Sequence, residues 1–326
     1  KSGSLFFFML IAKENMGFWL GPLALILAFE PLLSRKARIA AGVMGVIGIV
    51  YSLFMIGLVM PSFSTDATYA HFDYGILGSS ITEIPAAIIQ RPAEILKALF
   101  VDHKGVPNGT SIKLEFWWML LLSGGWAFFL RPRWGLMALP LIAQKMWHDD
   151  PGKWSVIAQY GVEFAPLLGV AVPLAIGRIS NEKITRILPM VAVILSLICT
   201  IRFMDRTVAY HDRSRIRIYQ AQHYVKPYDL DQVKEAMELI PPDASVSAQS
   251  PAVPHLALRN KIYQFPIMKD ADHILLLPQE SPYPLDTAQY YIQMERLSND
   301  PEWRTQLRTE NVILFSRNEP PSEEAR

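Results

Sequence analysis

The chain has 326 residues, 51% of them hydrophobic and 19% charged, and its mean hydropathy of +0.19 is higher than soluble enzymes of this length usually reach, which points to membrane insertion. Thirty-one basic residues against 30 acidic ones leave a formal charge of +1, which excludes the broad positive field that gathers nucleic acid, so no nucleic-acid partner is expected. The single cysteine, Cys199, excludes an internal disulfide framework and a thiolate metal site within one chain.

Residues 5–12 form an apolar run of eight residues, ~12 Å of helix against a hydrocarbon core of ~30 Å, and read as the stump of a severed spanning helix. Lys13-Glu14-Asn15 follows, where a signal peptide would carry a small-residue cleavage site. Further membrane helices are therefore expected before Lys1. Five later segments are long or apolar enough to span: 17–33, 39–61, 114–130, 160–177 and 184–203. A shorter one, 134–147, lies between the basic turn Arg131-Pro132-Arg133 and the polar stretch 148–155. The expected fold class is an α-helical polytopic membrane protein with about six full spans over residues 1–203 and a long outer loop at 62–113.

If the helices alternate, Arg35, Lys36, Arg38, Arg131, Arg133, Arg178, Lys183 and Arg186 fall on one side, which the positive-inside rule makes cytoplasmic. The opposite face then carries Lys13-Glu14, the long loop, the turn 148–158 and the C-terminal domain. Arg202, Arg206, Arg213, Arg215 and Arg217 crowd the outer end of the last span, against that rule. In the long loop, residues 83–100 suit an interfacial helix broken at Pro85 and Pro92. Trp19, Trp117, Trp118, Trp147 and Trp154, near outer helix ends, read as interfacial anchors.

Beyond 203 the periodicity changes to that of a soluble α/β domain over 204–317. A helix is expected at 229–240 with Asp229 as N-cap, and strands at 245–248, 262–265, 273–277 and 312–315. A second helix is expected at 286–297, and the polar tail 318–326 reads as disordered.

Lys13, Glu14, Lys145, His148, Asp149, Asp150, Lys153 and Glu163 all lie at outer helix ends and could face one cavity, since charges near hydrocarbon normally face protein, water or one another. Lys13 and Glu14 suit a lipid phosphate and its orientation, or a plain ion pair. His148, Asp149 and Asp150, with His148 and Asp149 as the metal candidates, could bind a divalent cation through hard oxygen ligands or supply a general base, or form a solvated turn closed by Pro151-Gly152. Gln159, Tyr160 and Glu163 open a helix, with 159 and 163 one turn apart on a shared face that suits sugar hydroxyls or an interhelical network. Arg202 and Arg206 suit the phosphate of a lipid carrier or membrane headgroups. No Walker A, GxSxG, HExxH or dinucleotide-binding glycine pattern is present.

Several stretches in order carry a family resemblance. They are Ala12-Lys13-Glu14-Asn15, Tyr74-Gly75-Ile76-Leu77-Gly78 with Arg91-Pro92, and Gln159-Tyr160 through Pro166. They continue in Val246-Ser247-Ala248-Gln249-Ser250, Pro254-His255-Leu256, Lys261 to Pro266 and Asp270-Ala271-Asp272. Together they resemble an uncharacterised bacterial and archaeal family of predicted polytopic membrane proteins, a domain of unknown function grouped with the GT-C glycosyltransferases. The resemblance implies a GT-C-like helix bundle in the cytoplasmic membrane and an extracytoplasmic C-terminal domain. It also implies a polyprenyl-phosphate-linked sugar as donor, often a divalent metal, and a catalytic acid in a loop that would precede Lys1. The competing expectation is a non-catalytic envelope protein whose outer domain binds a partner. Neither reading specifies the oligomeric state. A transporter would place its charges at the midplane rather than at one boundary.

Overall fold

A computed structural model of the chain describes residues 2–31, 33–63, 69, 72–156, 161–209, 217–226 and 228–318. The chain divides into two compact units, residues 1–217 and 218–326. The first is helical. It begins with α1 (Ser2–Ile11) and α2 (Gly17–Leu27), followed by α3 (Arg35–Phe54), which runs through a π-helical turn into α4 (Met60–Ser62). Two short helices, α5 (Ile84–Gln90) and α6 (Pro92–Lys97), occupy the long loop. Then come α7 (Gly109–Leu120), α8 (Ala127–Leu130), α9 (Pro132–Met146), α10 (Pro151–Trp154), α11 (Phe164–Ile176) and α12 (Glu182–Asp205).

Two of the expected spans are long and apolar enough to cross a membrane: the 28-residue rod Arg35–Ser62 and the 24-residue α12, ~42 and ~36 Å at ~1.5 Å per residue. A helix of this kind in a soluble core would be mostly buried, yet only 22% of the apolar window of the first and 6% of that of α12 are buried. Met190 and Leu197 are 65% and 57% exposed, and leaving such side chains in water forgoes ~1.5–3 kcal/mol each. These faces suit an apolar surrounding and make the two helices candidate membrane spans.

The other expected spans are shorter or broken. The helix expected at 17–33 ends at Leu27, and that at 160–177 is helical over Phe164–Ile176 among the described residues. The span expected at 114–130 is interrupted by a π-helical turn at Leu121–Gly125, where Gly124 takes a φ of +126°. A side chain there would be strained and would also lie 2.7 Å from Val172 Cγ2 of α11, so this kink requires glycine. Pro85 does not break the loop helix as expected, because it sits in the first turn of α5, where its missing N–H is not needed. The break falls at Arg91, before Pro92 opens α6.

α2 and α3 pack at backbone distance, for a Cβ on Gly17 would lie 1.8 Å from the Gly48 carbonyl oxygen. Small residues at such crossings let helices meet where no hydrophobic drive separates them from lipid. A second seam joins α7, α9, α10 and α11 through Phe116, Met137, Ile142, Met146, Trp154 and Phe164. At one end of these helices Arg133 pairs with Glu30 at 3.3 Å, and Arg131 donates twice to the Leu174 carbonyl at 2.9 and 2.7 Å. The basic turns between helices thus gather at one end.

The second unit has α13 (Leu230–Glu238), α14 (Thr287–Asn299) and five strands: β1 (Val246–Ala248), β2 (Ile262–Gln264), β3 (His273–Leu276), β4 (Trp303–Arg308) and β5 (Ile313–Arg317). The sheet order is β2-β1-β3-β5-β4, with β1 parallel to β2 and β3, and β5 antiparallel to β3 and β4. Alternation along β3 sends Leu275 toward α13 and Ile274 and Leu276 toward α14, giving a three-layer α/β/α core. Asp229 and Asp286 cap the two helices by accepting backbone N–H groups. Strand β4 was not expected, because Arg304, Thr305, Gln306 and Arg308 read as surface; they are the exposed residues of a charged edge strand on which only Trp303 is buried.

Candidate functional site

A cavity of about 970 Å³ lies in the helical unit. Its wall is built from helix ends: Lys13, Glu14 and Asn15 between α1 and α2, Leu53 at the end of α3 with Ile56 in the π-helical turn after it, Gln144 and Lys145 at the end of α9, and Glu163 with Phe164 at the start of α11. That the C-terminal ends of α1, α3 and α9 meet the N-terminal ends of α2 and α11 means these helices alternate in direction. Residues 72–85 of the long loop line the cavity through Asp73, Tyr74 and Leu77, and the turn after α9 contributes His148, Asp150 and Lys153. Apolar and charged groups therefore share one space.

The chain segment around Asn15 is held rigidly. Ser52 Oγ, fully buried, accepts the Gly17 N–H at 2.9 Å and donates to the Glu14 carbonyl at 2.7 Å. Glu14 Oε1 accepts the Tyr69 hydroxyl at 2.8 Å, and Lys13 Nζ lies 5.9 Å from the Trp19 ring centre. Trp19 Nε1 donates to Gln144 Oε1, and Gln144 also bonds Tyr74. Burial pushes the Tyr69 and Tyr74 hydroxyls above their ordinary range, so both remain protonated. Lys145, buried, donates to the Ser155 carbonyl at 2.7 Å within electrostatic reach of Glu163 and Lys153. Two acceptor atoms of the wall have no hydrogen-bond partner among the described residues: Asn15 Oδ1 and Glu163 Oε2.

His148 stacks edge-on to Tyr74 at 5.0 Å between ring centres. Its Nδ1 accepts the Asp150 N–H at 2.9 Å, and Asp73 Oδ2 lies 3.9 Å from the same nitrogen. A nitrogen that accepts carries no proton, so these contacts describe a neutral ring protonated on Nε2, and the ion pair with Asp73 is not formed. Burial agrees, holding the imidazole below its ordinary value of 6.5 despite the Asp73 charge that raises it.

The expected pairing of His148 with Asp149 as a metal site is not assembled. Asp149 Oδ2 accepts from Gly75 N–H and Lys104 Nζ, each at 3.1 Å, and Oδ1 lies 3.6 Å from His103 Nε2. The Asp149 N–H donates to the Asp73 carbonyl at 2.8 Å. Asp149 thus fastens the segment beside the cavity rather than lining it. Among the described residues no group of three or more His, Cys, Asp or Glu is placed to hold a metal ion.

Arg202 and Arg206 do not line the cavity either. Arg202 pairs with Glu115 at 2.9 Å and donates to the Arg206 carbonyl, while the Arg206 side chain is exposed. Gln159 and Tyr160 lie outside the described residues, as do Arg213 and Arg215. The tryptophans expected as anchors mostly tie protein to protein. Trp117 Nε1 donates to Leu99 C=O, Trp147 Nε1 to Ile95 C=O and Trp154 Nε1 to His148 C=O, at 2.9, 2.9 and 2.6 Å. Trp118, 62% exposed, fits the anchoring expectation. Sequence reasoning passed over Asn15, Trp19, Tyr74 and Gln144 as cavity residues. Only Gln144, an amide inside an apolar helix, carried a visible signal.

A model of the family described as predicted membrane protein, DUF2079, matches residues 2–317. No curated protein and no solved structure matches the chain. The lipid-facing rods and a family match over nearly the whole length agree, and the chain belongs to the DUF2079 family of predicted membrane proteins.

Proposed function

We propose that this protein is a multi-pass, glycosyltransferase-like protein of the cytoplasmic membrane, whose cavity receives the head of a polyprenyl-phosphate-linked sugar at the outer face. The observation that carries this reading is a single cavity of about 970 Å³ whose wall joins apolar helix flanks to Lys13, Lys145, Lys153, Glu14 and Glu163. An amphiphile with an anionic head needs both parts of such a wall. The basic turns gathered at the opposite end support an orientation in which the cavity and the C-terminal unit face outward.

In this reading the lysines neutralise the phosphate. The bond between the sugar carbon and the phosphate oxygen breaks, polyprenyl phosphate leaves, and the sugar bonds to the acceptor oxygen. A carboxylate base receives the acceptor proton, while Glu14 and Glu163 line the space that holds the sugar. The expected result is that the purified protein in nanodiscs releases polyprenyl phosphate from one of a panel of polyprenyl-phosphate sugars. Lys13→Ala and Glu163→Ala should each reduce that release at least tenfold with folding intact. Absence of both turnover and donor binding across the panel would overturn the reading in favour of an envelope-binding protein anchored by its helices.

A further inference from the structure

The lysines of the cavity explain an anionic head but not the two acceptors left without donors. Asn15 is 8% exposed and lines the cavity, and its Oδ1 has no hydrogen-bond partner among the described residues. Glu163 Oε2 on the same wall is likewise buried and, although Lys145 lies within electrostatic reach, accepts no hydrogen bond among the described residues. A buried acceptor without a donor costs ~1–3 kcal/mol, and such groups persist where the surroundings hold them in place for a ligand. The surroundings here do so. Ser52 clamps the chain on both sides of Asn15 through Glu14 and Gly17, and the Phe18 N–H closes onto the Asn15 carbonyl at 3.0 Å. The Gly17–Gly48 contact fixes α2 against α3, so the backbone that carries the amide is held in place.

A bare phosphate brings only acceptors to Asn15 Oδ1 and Glu163 Oε2 and would leave both unsatisfied. A polyhydroxylated group brings donors. We propose that Asn15 and Glu163 form the hydroxyl-recognising part of the cavity and make it select the glycosylated form of its lipid over the lipid phosphate released from it. The proposal rests on the reading of the cavity given above, and adds how substrate is told from product. Discrimination arises because donors absent from the ligand leave buried acceptors unpaired.

The test compares binding of glucosyl and mannosyl polyprenyl phosphates with binding of polyprenyl phosphate, using the whole protein in nanodiscs and the variants Asn15→Leu and Glu163→Gln. The expected result is that the unsubstituted protein prefers a glycosylated lipid, and that Asn15→Leu lowers that preference about tenfold by weakening the glycosylated ligand alone. Glu163→Gln, which keeps an acceptor oxygen, should lower it less. The ligand-free Asn15→Leu protein should unfold at a temperature no lower than the unsubstituted one, because the variant removes an unpaired amide. A lowered unfolding temperature with equal loss for both lipids would overturn the proposal by making Asn15 structural. An unchanged preference in Asn15→Leu would overturn it while leaving the cavity reading intact. Binding of neither lipid by the unsubstituted protein would overturn both.

Discussion

In the C-terminal unit Gln249, 1% exposed, uses Oε1 to accept the Leu277 N–H at 2.7 Å and the Tyr290 hydroxyl at 3.0 Å, and Nε2 to donate to the Ser281 carbonyl at 2.9 Å. In the helical unit Asn15, an amide buried almost as deeply, leaves its oxygen unpaired beside a cavity. The same contrast extends to carboxylates. Asp272 Oδ2 accepts from Ser245 N–H and Oγ at 2.9 and 2.6 Å, whereas Glu163 Oε2 has no donor. The C-terminal unit also holds two unpaired buried atoms, His273 Nδ1 and Ser316 Oγ, but these residues oppose each other across β3 and β5 and are cross-strand neighbours. The difference teaches where to look for function. Gln249 and Asp272, two of the polar residues in the stretches that carried the family resemblance, hold strands and loops together in the C-terminal unit, while unsatisfied chemistry collects at the helix ends.

The comparison breaks most easily at Gln249. Gln249→Leu removes these bonds together with a longer one from Nε2 to the Glu280 carbonyl, and leaves the Tyr290 hydroxyl and the Leu277 N–H buried without an acceptor, so the C-terminal unit should lose ~3 kcal/mol or more. Denaturant-dependent proteolysis of the whole protein reads this directly, with cleavage expected first in residues 218–318. Equal stability in the variant would mean that this network is not what holds the sheet to its loops.

A smaller effect comes from acid. Burial is the main cause holding His103 and His148 below their ordinary value of 6.5. His103 faces Lys113, Asp149, Asp102 and Lys104, and His148 faces Asp73, Lys153, Asp150 and Asp149. Because the folded state binds these protons less readily than the unfolded chain, the helical unit's stability is complete above pH 6.5 and declines as pH falls below it. Thermal unfolding between pH 7 and pH 5 should show the decline, and the double variant His103→Gln/His148→Gln should flatten it. An unchanged slope in that variant would assign the acid response to other groups.

The smallest effect is expected at the exposed cluster of Lys261, Tyr263 and Asp270. Hydrogen bonds from Lys261 and Tyr263 hold the Asp270 carboxyl well down, to about 2. Its contribution is present above the ordinary value of 3.8 and is lost as pH falls toward 2. Surface pairs of this kind contribute little at neutral pH. Asp270→Asn should therefore leave neutral-pH stability unchanged within error and affect only unfolding in strong acid. A clear loss at pH 7 would show that the cluster does more than decorate the edge of β2.

Much of the architecture was legible because it rests on local pattern. Asp229 and Asp286 precede apolar periodicities that fold as capped helices, and the long apolar runs are rods with exposed apolar faces. The gathering of Lys13, Lys145, Lys153 and Glu163 at one cavity follows from their places at the ends of alternating helices. What was not legible depends on tertiary partners. Nothing local says that Asp149 turns to Gly75 and Lys104 while His148 and Asp150, on either side of it, line the cavity. Lys113 sits inside an ordinary helical pattern, yet it is fully buried and donates to carbonyls of Val101 and Met146 at 3.2 and 2.8 Å. The π-helical turn at Gly124 likewise exists because α11 passes close beside it.

The most direct test of the central claim is photocrosslinking with a polyprenyl-phosphate sugar that carries a diazirine at the sugar. Labelling should map to the stretches around residues 13–19 and 144–164, should be competed by unlabelled glycosylated lipid, and should fall in Lys13→Ala. Labelling confined to the lipid-facing surface of α12, or to the C-terminal unit, would contradict the assignment of the cavity as the site where the lipid's head is bound.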